Sequence, residues 1–216
     1  MKAVGISLWI LYIIAAVIDI HAVRSEEEGK HRLVKPMLMP ILAAAYLTMS
    51  IGVHRAPNGL LVIGILLGCA GDVLLLDNRY FMYGLLAFLG GHVFYLAAFL
   101  FQIHREGAAV PGGAYFVFPF YLVYILAAAR PILAELESKM KTAGYVYMAV
   151  ILFMSYVSFL LLCACGPRYA LTFFGSLLFV LSDTILSRQV FLNEPDRGVM
   201  ETYTAAQALI ALGFLV

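Results

Sequence analysis

Long apolar stretches separated by short polar segments run along the whole chain. We interpret eight of them as membrane-spanning helices, each of which needs about 20 residues to cross the hydrocarbon core. Numbered as spans 1 to 8, they cover residues 4–23, 36–53, 59–76, 81–103, 115–130, 143–165, 170–190 and 201–216. The breaks between them contain Pro, Gly, Asn and charged residues, which favour turns and interfacial loops. The pattern therefore predicts an all-α polytopic membrane protein.

The short breaks also constrain how the spans are arranged. Helices joined by a few residues pack as antiparallel neighbours. We therefore expect a single bundle of eight transmembrane helices, forming one transmembrane domain over residues 1–216.

Composition agrees with lipid as the solvent. Hydrophobic residues make up 63% of the chain and charged residues 12%, with a mean hydropathy of +0.94. Soluble domains have roughly 45–50% apolar and about 25% charged residues. Eight spans leave little chain for a separate soluble catalytic or nucleic-acid-binding domain, and the net charge of +1 indicates no polyelectrolyte partner. Cys69, Cys163 and Cys165 lie in apolar runs, so no disulfide framework is expected.

Basic residues are distributed unequally between the two sets of breaks. Ten lie at the first, third, fifth and seventh breaks: Arg24, Lys30, Arg32, Lys35, Arg79, Arg130, Lys139, Lys141, Arg188 and Arg197. Four lie on the other side: Lys2, Arg55, Arg105 and Arg168. Cytoplasmic loops carry an excess of Lys and Arg. We therefore expect cytoplasmic odd-numbered loops and non-cytoplasmic termini, in a bacterial inner membrane or an ER-type membrane.

Ionisable groups inside apolar spans are costly and mark functional sites by default. Asp72 lies in span 3 and Asp183 in span 7, both on the cytoplasmic side of the span centre in the expected orientation. Other polar candidates lie at comparable depth or next to these positions: Lys35, His92, Tyr95, Ser182, Tyr203 and Gln207. This convergence predicts a cavity that opens toward the cytoplasmic leaflet.

Structural roles are the alternatives for several of these residues. Lys35 fits a snorkelling lysine at a cytoplasmic interface, and His92 fits a core histidine that bonds a neighbouring helix. Asp19 and His21, near the end of span 1, fit interfacial or helix-capping positions.

A weak internal repeat relates spans 3 and 7. Gly64 precedes Asp72 by eight residues, and Gly175 precedes Asp183 by the same number. A small residue precedes each aspartate, and a leucine follows three residues after it. An offset of four spans would make two parallel, not inverted, four-helix halves. Chance matching within low-complexity apolar sequence is the alternative.

Two buried carboxylates can differ in protonation state and so supply a general acid and a general base in one site. Only His92 of the histidines lies deep in a span, which leaves no three-histidine zinc site, and no GxSxG, HExxH or P-loop pattern occurs. We expect neither a metal nor another cofactor. Paired intramembrane carboxylates also serve proton relays, so the rival hypothesis is a proton-coupled transporter of a small amphipathic or lipid substrate.

Several short motifs, taken in order, resemble the YhhN family of membrane proteins. They are Lys35-Pro36 with Leu38 and Pro40; Gly71-Asp72; Phe81, Gly84, Phe88, Gly91-His92 and Tyr95; Gly175, Phe179, Ser182-Asp183 and Phe191; and Tyr203 with Ala206-Gln207. The resemblance covers nearly the whole chain. It implies a single helical membrane bundle in which Asp72 and Asp183 match the two buried aspartates of the family.

Characterised members of the family are lysoplasmalogenases, so the resemblance implies an ether hydrolase. Such an enzyme cleaves the vinyl-ether bond of a lysoplasmalogen, giving a fatty aldehyde and glycerophospho-ethanolamine or -choline. We expect Asp72 and Asp183 to be catalytic, one as the acid and the other stabilising the cation, with the assignment left open. The expected substrate-binding residues are Lys35, His92, Tyr95, Ser182, Tyr203 and Gln207. The expected partners are the lysophospholipid and membrane lipid; no oligomeric state is indicated.

Overall fold

The computed structural model describes residues 1–135 and 138–216. Within these ranges, all of the regular secondary structure is helical. The α-helices are α1 (Lys2–Arg24), α2 (Glu28–Gly52), α3 (Gly59–Leu74), α4 (Phe81–Arg105), α5 (Phe118–Glu135), α6 (Ser138–Cys165), α7 (Ala170–Leu192) and α8 (Val199–Gly213). Short 3-10 helices occupy Asn78–Tyr80, Gly112–Val117 and Pro167–Tyr169. The prediction of an all-α protein is confirmed.

Five helices of the described part are long and apolar enough to cross a membrane. They are Lys2–Arg24, Glu28–Gly52, Asn78–Arg105, Lys141–Cys165 and Pro167–Leu192. Two further apolar helices, Gly59–Leu74 and Gly112–Tyr124, are shorter, and α8 has 15 residues, below the roughly 17 that a span needs. These helices indicate a membrane protein, whereas the bundle of eight spans stays a prediction.

Two of the predicted breaks are partly helical. The first, expected over residues 24–35, is mostly helical, because α2 begins at Glu28 and continues through Pro36 and Pro40. Glu28 lies in the first turn of α2, where a negative charge is stabilised by the helix dipole. Membrane helices tolerate internal proline because neighbouring groups satisfy the freed backbone carbonyls. Within the break expected over residues 131–142, residues 131–135 belong to α5 and residues 138–142 belong to α6, while residues 136–137 lie outside the described residues.

The chain divides into two compact units, one comprising Met1–Ala98 and Phe214–Val216 and the other Phe99–Gly213. The predicted single domain stays a prediction, and each unit is described by itself. In the first unit, Asn58 caps α3 by accepting hydrogen bonds from the backbone N–H groups of Leu60 and Leu61. The Asn58 backbone N–H donates to the Tyr46 hydroxyl at 2.9 Å, and its amide donates to the Ala98 carbonyl at 3.3 Å. This turn joins α2, α3 and α4 in a fixed arrangement.

Small residues let α3 and α4 approach closely. A Cβ atom added at Gly64 would lie 2.5 Å from the Tyr95 ring, and one added at Gly71 would lie 2.6 Å from the Phe88 ring. Close contact through small residues is a usual way for membrane helices to associate. It places the polar residues of α4 beside the helix that carries Asp72.

In the second unit, a buried hydroxyl cluster connects α6 and α7. Ser176 lies 2.7 Å from Ser158 and 3.0 Å from Ser155, measured between Oγ atoms. The Tyr121 hydroxyl of α5 lies 3.3 Å from Ser155 Oγ. Such hydrogen bonds hold helices together where the surroundings are apolar. They fix the helix on which Asp183 lies.

The α7–α8 contact resembles the α3–α4 contact in register. A Cβ atom added at Gly175 would lie 2.8 Å from the Ala206 carbonyl, and Ser182 Oγ donates to the Val199 carbonyl at 3.1 Å. Gly175 and Ala206 each follow Gly64 and Tyr95 by 111 residues, and Ser182 and Val199 follow Gly71 and Phe88 by the same number. The same offset separates Asp72 from Asp183. The correspondence agrees with the predicted repeat, which stays a prediction.

Candidate functional site

Asp72 lies in the last turn of α3 and is buried, with 1% of its surface exposed. Its Oδ1 atom lies 3.9 Å from Nζ of Lys35, whose side chain is 14% exposed. Lys35 can reach this position because α2 is already helical there, so its side chain projects sideways from α2 and not from a loop. Two of the predicted site residues therefore form an ion pair in which Asp72 is buried and Lys35 is largely covered.

Tyr12 of α1 is a further neighbour of Asp72 that sequence reasoning missed. It is buried, at 2% exposed, and its phenol lies within electrostatic range of the Asp72 carboxylate. The signal available in the sequence was a hydroxyl near the middle of span 1, but tyrosine is common in membrane proteins as a packing residue. Its relation to Asp72 depends on the packing of helices from different parts of the chain.

His92 and Tyr95, the two predicted residues of α4, are each 1% exposed and lie in the same unit as Asp72. The Tyr95 ring fills the space beside Gly64. Tyr95 therefore has a clear packing function, and its predicted contact with substrate stays a prediction, as does that of His92.

Asp183 lies on α7 and is partly buried. The hydroxyl of Tyr147, which lies on α6, donates a hydrogen bond to Asp183 Oδ2 at 2.6 Å. Tyr147 was not among the predicted site residues. The sequence contains one signal that could have identified it: Asp183 follows Tyr147 by 36 residues, and Asp72 follows Lys35 by 37. In both units the carboxylate has a polar partner on the preceding long helix.

The remaining candidates lie on α7 and α8. Ser182 donates its hydroxyl proton to the Val199 carbonyl, so this side chain holds the start of α8 against α7. Tyr203 is 4% exposed and packs edge-on against Phe179, with ring centroids 5.5 Å apart. Gln207 is 1% exposed. The role of these three residues in substrate binding stays a prediction.

Asp72 and Asp183 belong to different units, so the predicted common cavity stays a prediction. Asp19 differs from its expected interfacial or capping role, because it is fully buried and its Oδ1 atom lies 3.0 Å from Nδ1 of His31 on α2. His21 is exposed and its Nε2 lies 3.5 Å from Ser25 Oγ. Among the side chains that the structure describes, no three His, Cys, Asp or Glu residues are grouped so that they could hold a metal ion.

The sequence model of the YhhN family matches residues 30–214 of the chain. This range contains every predicted site residue and Tyr147, and it begins after the end of α1. No solved structure matches the chain.

Proposed function

Because the chain belongs to the YhhN family, we propose that it is a lysoplasmalogenase-like hydrolase. Its substrate is a 1-alkenyl lysophospholipid, and the bond that breaks is the vinyl ether at the first carbon of glycerol. The products are a fatty aldehyde and glycerophospho-ethanolamine or -choline. Asp72 and Asp183 are the catalytic carboxylates of this proposal.

The buried contact between Lys35 and Asp72 is the observation that supports the proposal most directly. Removing two charges from water is unfavourable by several kcal/mol per ion, and apolar residues of similar volume are often at least as stabilising. Ionisable residues inside membrane helices accordingly tend to be functional. A lysine and an aspartate paired at this place in an apolar unit therefore favour chemistry over a purely structural role.

The reaction needs one acid, one water molecule and one carboxylate. The acid gives its proton to the second alkenyl carbon, where the electrons of the double bond form the new C–H bond. The ether oxygen then shares its lone pair with the first carbon, giving an oxocarbenium ion, which the ionised carboxylate stabilises. Water adds to that carbon and loses a proton to a carboxylate. The resulting hemiacetal divides into the aldehyde and the glycerol hydroxyl, so that one water is consumed overall.

The apolar helices suit the rest of the substrate. The alkenyl chain of the lipid can remain in apolar surroundings, so it exposes no additional apolar surface to water. The headgroup phosphate stays near the interface. Lysine has three N–H donors, so Lys35 can contact a phosphate oxygen while it remains beside Asp72. We propose that His92, Tyr95, Tyr203 and Gln207 hold the water and the glycerol hydroxyl, as expected from the sequence.

Aldehyde release by the purified protein tests the proposal. The substrates are 1-alkenyl lysophosphatidyl-ethanolamine and -choline, and the matched controls are the 1-alkyl and 1-acyl lipids with the same headgroups, which lack the vinyl ether. We expect aldehyde only from the alkenyl lipids, with and without a chelator. Loss of turnover on chelation would contradict the metal-free chemistry. Substrate-dependent proton uptake into vesicles without aldehyde release would favour the transporter hypothesis instead.

The two aspartates are tested by amide substitution. Asp72→Asn and Asp183→Asn should each lower kcat by roughly 10²–10⁴-fold, the usual contribution of a general acid or base. Asp19→Asn is the matched control, since Asp19 is also a buried carboxylate but lies outside the range that the family model matches. Full turnover in both the Asp72→Asn and Asp183→Asn proteins would disprove the carboxylate mechanism.

A further inference from the structure

Tyr147 has a polar contact that none of the predicted roles includes. Its hydroxyl lies 2.6 Å from Asp183 Oδ2, a length typical of a strong hydrogen bond from a hydroxyl to a carboxylate. Tyr147 lies inside α6 and Asp183 lies inside α7, so both residues are away from loops. The contact therefore fixes the orientation of the Asp183 carboxyl group relative to α6.

The chemistry of the partner differs between the two aspartates. An ammonium group can only donate hydrogen bonds, whereas a phenol hydroxyl can donate and accept. The charge of the Lys35 ammonium group, 3.9 Å from Asp72 Oδ1, pairs with a carboxylate. Tyr147 is uncharged, and its hydroxyl can donate either to the Asp183 carboxylate or to the carbonyl oxygen of the protonated carboxyl group, so this hydrogen bond survives the gain or loss of a proton.

We propose that Tyr147 is a positioning residue for Asp183 and that Asp183 is the carboxyl group that protonates the alkenyl carbon. This inference rests on the proposed hydrolase function and assigns the two aspartates, which sequence reasoning left open. Before the step, the Asp183 proton faces the alkenyl carbon while the other carboxyl oxygen accepts from Tyr147. The proton leaves to form the C–H bond, and Tyr147 keeps donating to the carboxylate that remains. Asp72, opposite Lys35, stabilises the cation.

The chain offers a closely matched control for Tyr147. The Tyr124 hydroxyl of α5 lies 3.1 Å from Oγ1 of Thr184, the residue that follows Asp183. Thr184 Oγ1 donates its own proton to the Val180 carbonyl at 2.7 Å, so Tyr124 is the donor. Tyr124→Phe and Tyr147→Phe therefore each remove one phenol donor to neighbouring residues of α7, and only the second removes the donor to the carboxylate.

Steady-state kinetics of the two phenylalanine variants test the inference. Tyr147→Phe should lower kcat by roughly 10- to 100-fold, the range for losing a hydrogen bond to a charged group, and leave KM within about twofold. Tyr124→Phe should leave both constants within about twofold of the wild type. Equal losses in the two variants, or a Tyr147→Phe effect confined to KM, would contradict the positioning role.

A double-mutant cycle tests whether Tyr147 acts through Asp183. In the Asp183→Asn background, Tyr147→Phe should cause no further loss in the residual kcat, because the group that it positions is gone. If Tyr147→Phe lowered kcat by the same factor in the Asp183→Asn background as in the wild type, the inference would be overturned. The outcomes separate the two proposals: aldehyde release by wild type with an unaffected Tyr147→Phe protein contradicts the inference alone, whereas no aldehyde release by wild type contradicts the proposed function.

An activity-independent measurement addresses the assignment of the acid. The infrared C=O band of a protonated carboxyl group is identified by its shift in D2O. We expect such a band from Asp183, so it should be absent from the Asp183→Asn protein and present in the Asp72→Asn protein. Loss of the band in Asp72→Asn alone would reverse the assignment. Thermal unfolding of each variant in detergent establishes that the spectra are those of folded proteins. If Tyr147→Phe does not fold, the comparison of the two asparagine variants still decides between the aspartates.

Discussion

Lys35 and Asp72 place opposite charges within an apolar unit, and their energetics are asymmetric. Removing one partner leaves a buried charge uncompensated, which destabilises a protein by about 3–5 kcal/mol, whereas replacing both by apolar residues is often neutral or stabilising. Stability and activity should therefore respond differently to changes at these two positions. An ion pair that serves function should lose activity when both partners are replaced by apolar residues, even where stability is recovered.

We expect Lys35→Met to lower the free energy of unfolding by about 3–5 kcal/mol and Lys35→Met with Asp72→Leu to recover most of that loss. Both proteins should be inactive, because each lacks part of the proposed site. Thermal unfolding in detergent gives the stability and aldehyde release gives the activity. Lys30→Met is the control, since the Lys30–Glu27 pair is exposed, with side chains 60% and 37% accessible, and exposed pairs contribute little. Hydrolysis by the double variant would contradict a role for this pair.

Glu194, in the segment between α7 and α8, should make the stability of the protein depend on pH. A hydrogen bond from Arg188, with Nε 3.0 Å from Oε2, holds the pKa of Glu194 below its ordinary value. Because the folded-state pKa is lowered, the stabilisation is present above the ordinary pKa and is lost as the pH falls through the lowered value. Wild type should therefore unfold at a slightly higher temperature than Glu194→Gln near neutral pH. A difference that persists at acid pH would contradict this origin.

At the scale of helices, small residues decide how closely the helices of each pair approach. Gly175 faces the backbone of α8, where an added Cβ would lie 2.8 Å from both the Ala206 carbonyl oxygen and the Ile210 nitrogen. Backbone atoms cannot turn aside as a flexible side-chain end can. The position of α8, and with it that of Tyr203 and Gln207, therefore depends on the absence of a side chain at residue 175.

We expect Gly175→Ala to destabilise the protein by about 1–3 kcal/mol, as overpacking usually does. Gly90→Ala is the control, because a Cβ there would meet only Leu67 Cδ1 at 3.4 Å, and alanine is favoured over glycine in a helix by about 1 kcal/mol. Thermal unfolding of the two variants in the same detergent measures the difference. Equal effects would mean that the α7–α8 contact is looser than the structure indicates.

At the scale of the whole molecule, apolar surface faces outward along the first helix. Ile10, Ile13 and Val17 of α1 are 52%, 56% and 60% exposed, which a water-soluble protein would avoid over so long a surface. Together with the five long apolar helices, this surface indicates a membrane protein. The orientation of the helices relative to the cytoplasm is predicted separately, from the distribution of basic residues between the connections.

Labelling of single cysteines in intact cells tests that orientation. In a background with Cys69, Cys163 and Cys165 replaced by alanine, Ser25→Cys reports on the α1–α2 connection and Ala56→Cys on the α2–α3 connection. The excess of Lys and Arg in the odd-numbered breaks predicts a cytoplasmic first connection. A membrane-impermeant maleimide should therefore label Ala56→Cys and spare Ser25→Cys until the cells are opened. The reverse pattern would show that the termini are cytoplasmic.

The positions of the helices and of the most polar residues within them follow from the sequence alone. Apolar stretches of span length and the residues that interrupt them are local features, so they identified all eight helices of the described ranges, and the rarity of charge in lipid identified Asp72 and Asp183 as candidates. Hydropathy was less informative about helix ends, since it cannot tell a polar first turn from a loop. For this reason Glu28 was assigned to a break when it begins α2.

Which groups meet within each unit depends instead on how the helices pack. Lys35 reaches Asp72, Tyr147 reaches Asp183 and His31 reaches Asp19, and every one of these pairs joins two helices. The sequence contains the donors and acceptors, but which of them become partners depends on the rotation of each helix about its axis and on how closely the helices approach. Those quantities are set by side-chain packing and by contacts at small residues such as Gly64 and Gly175. They are properties of helix pairs and are absent from any single stretch of the chain.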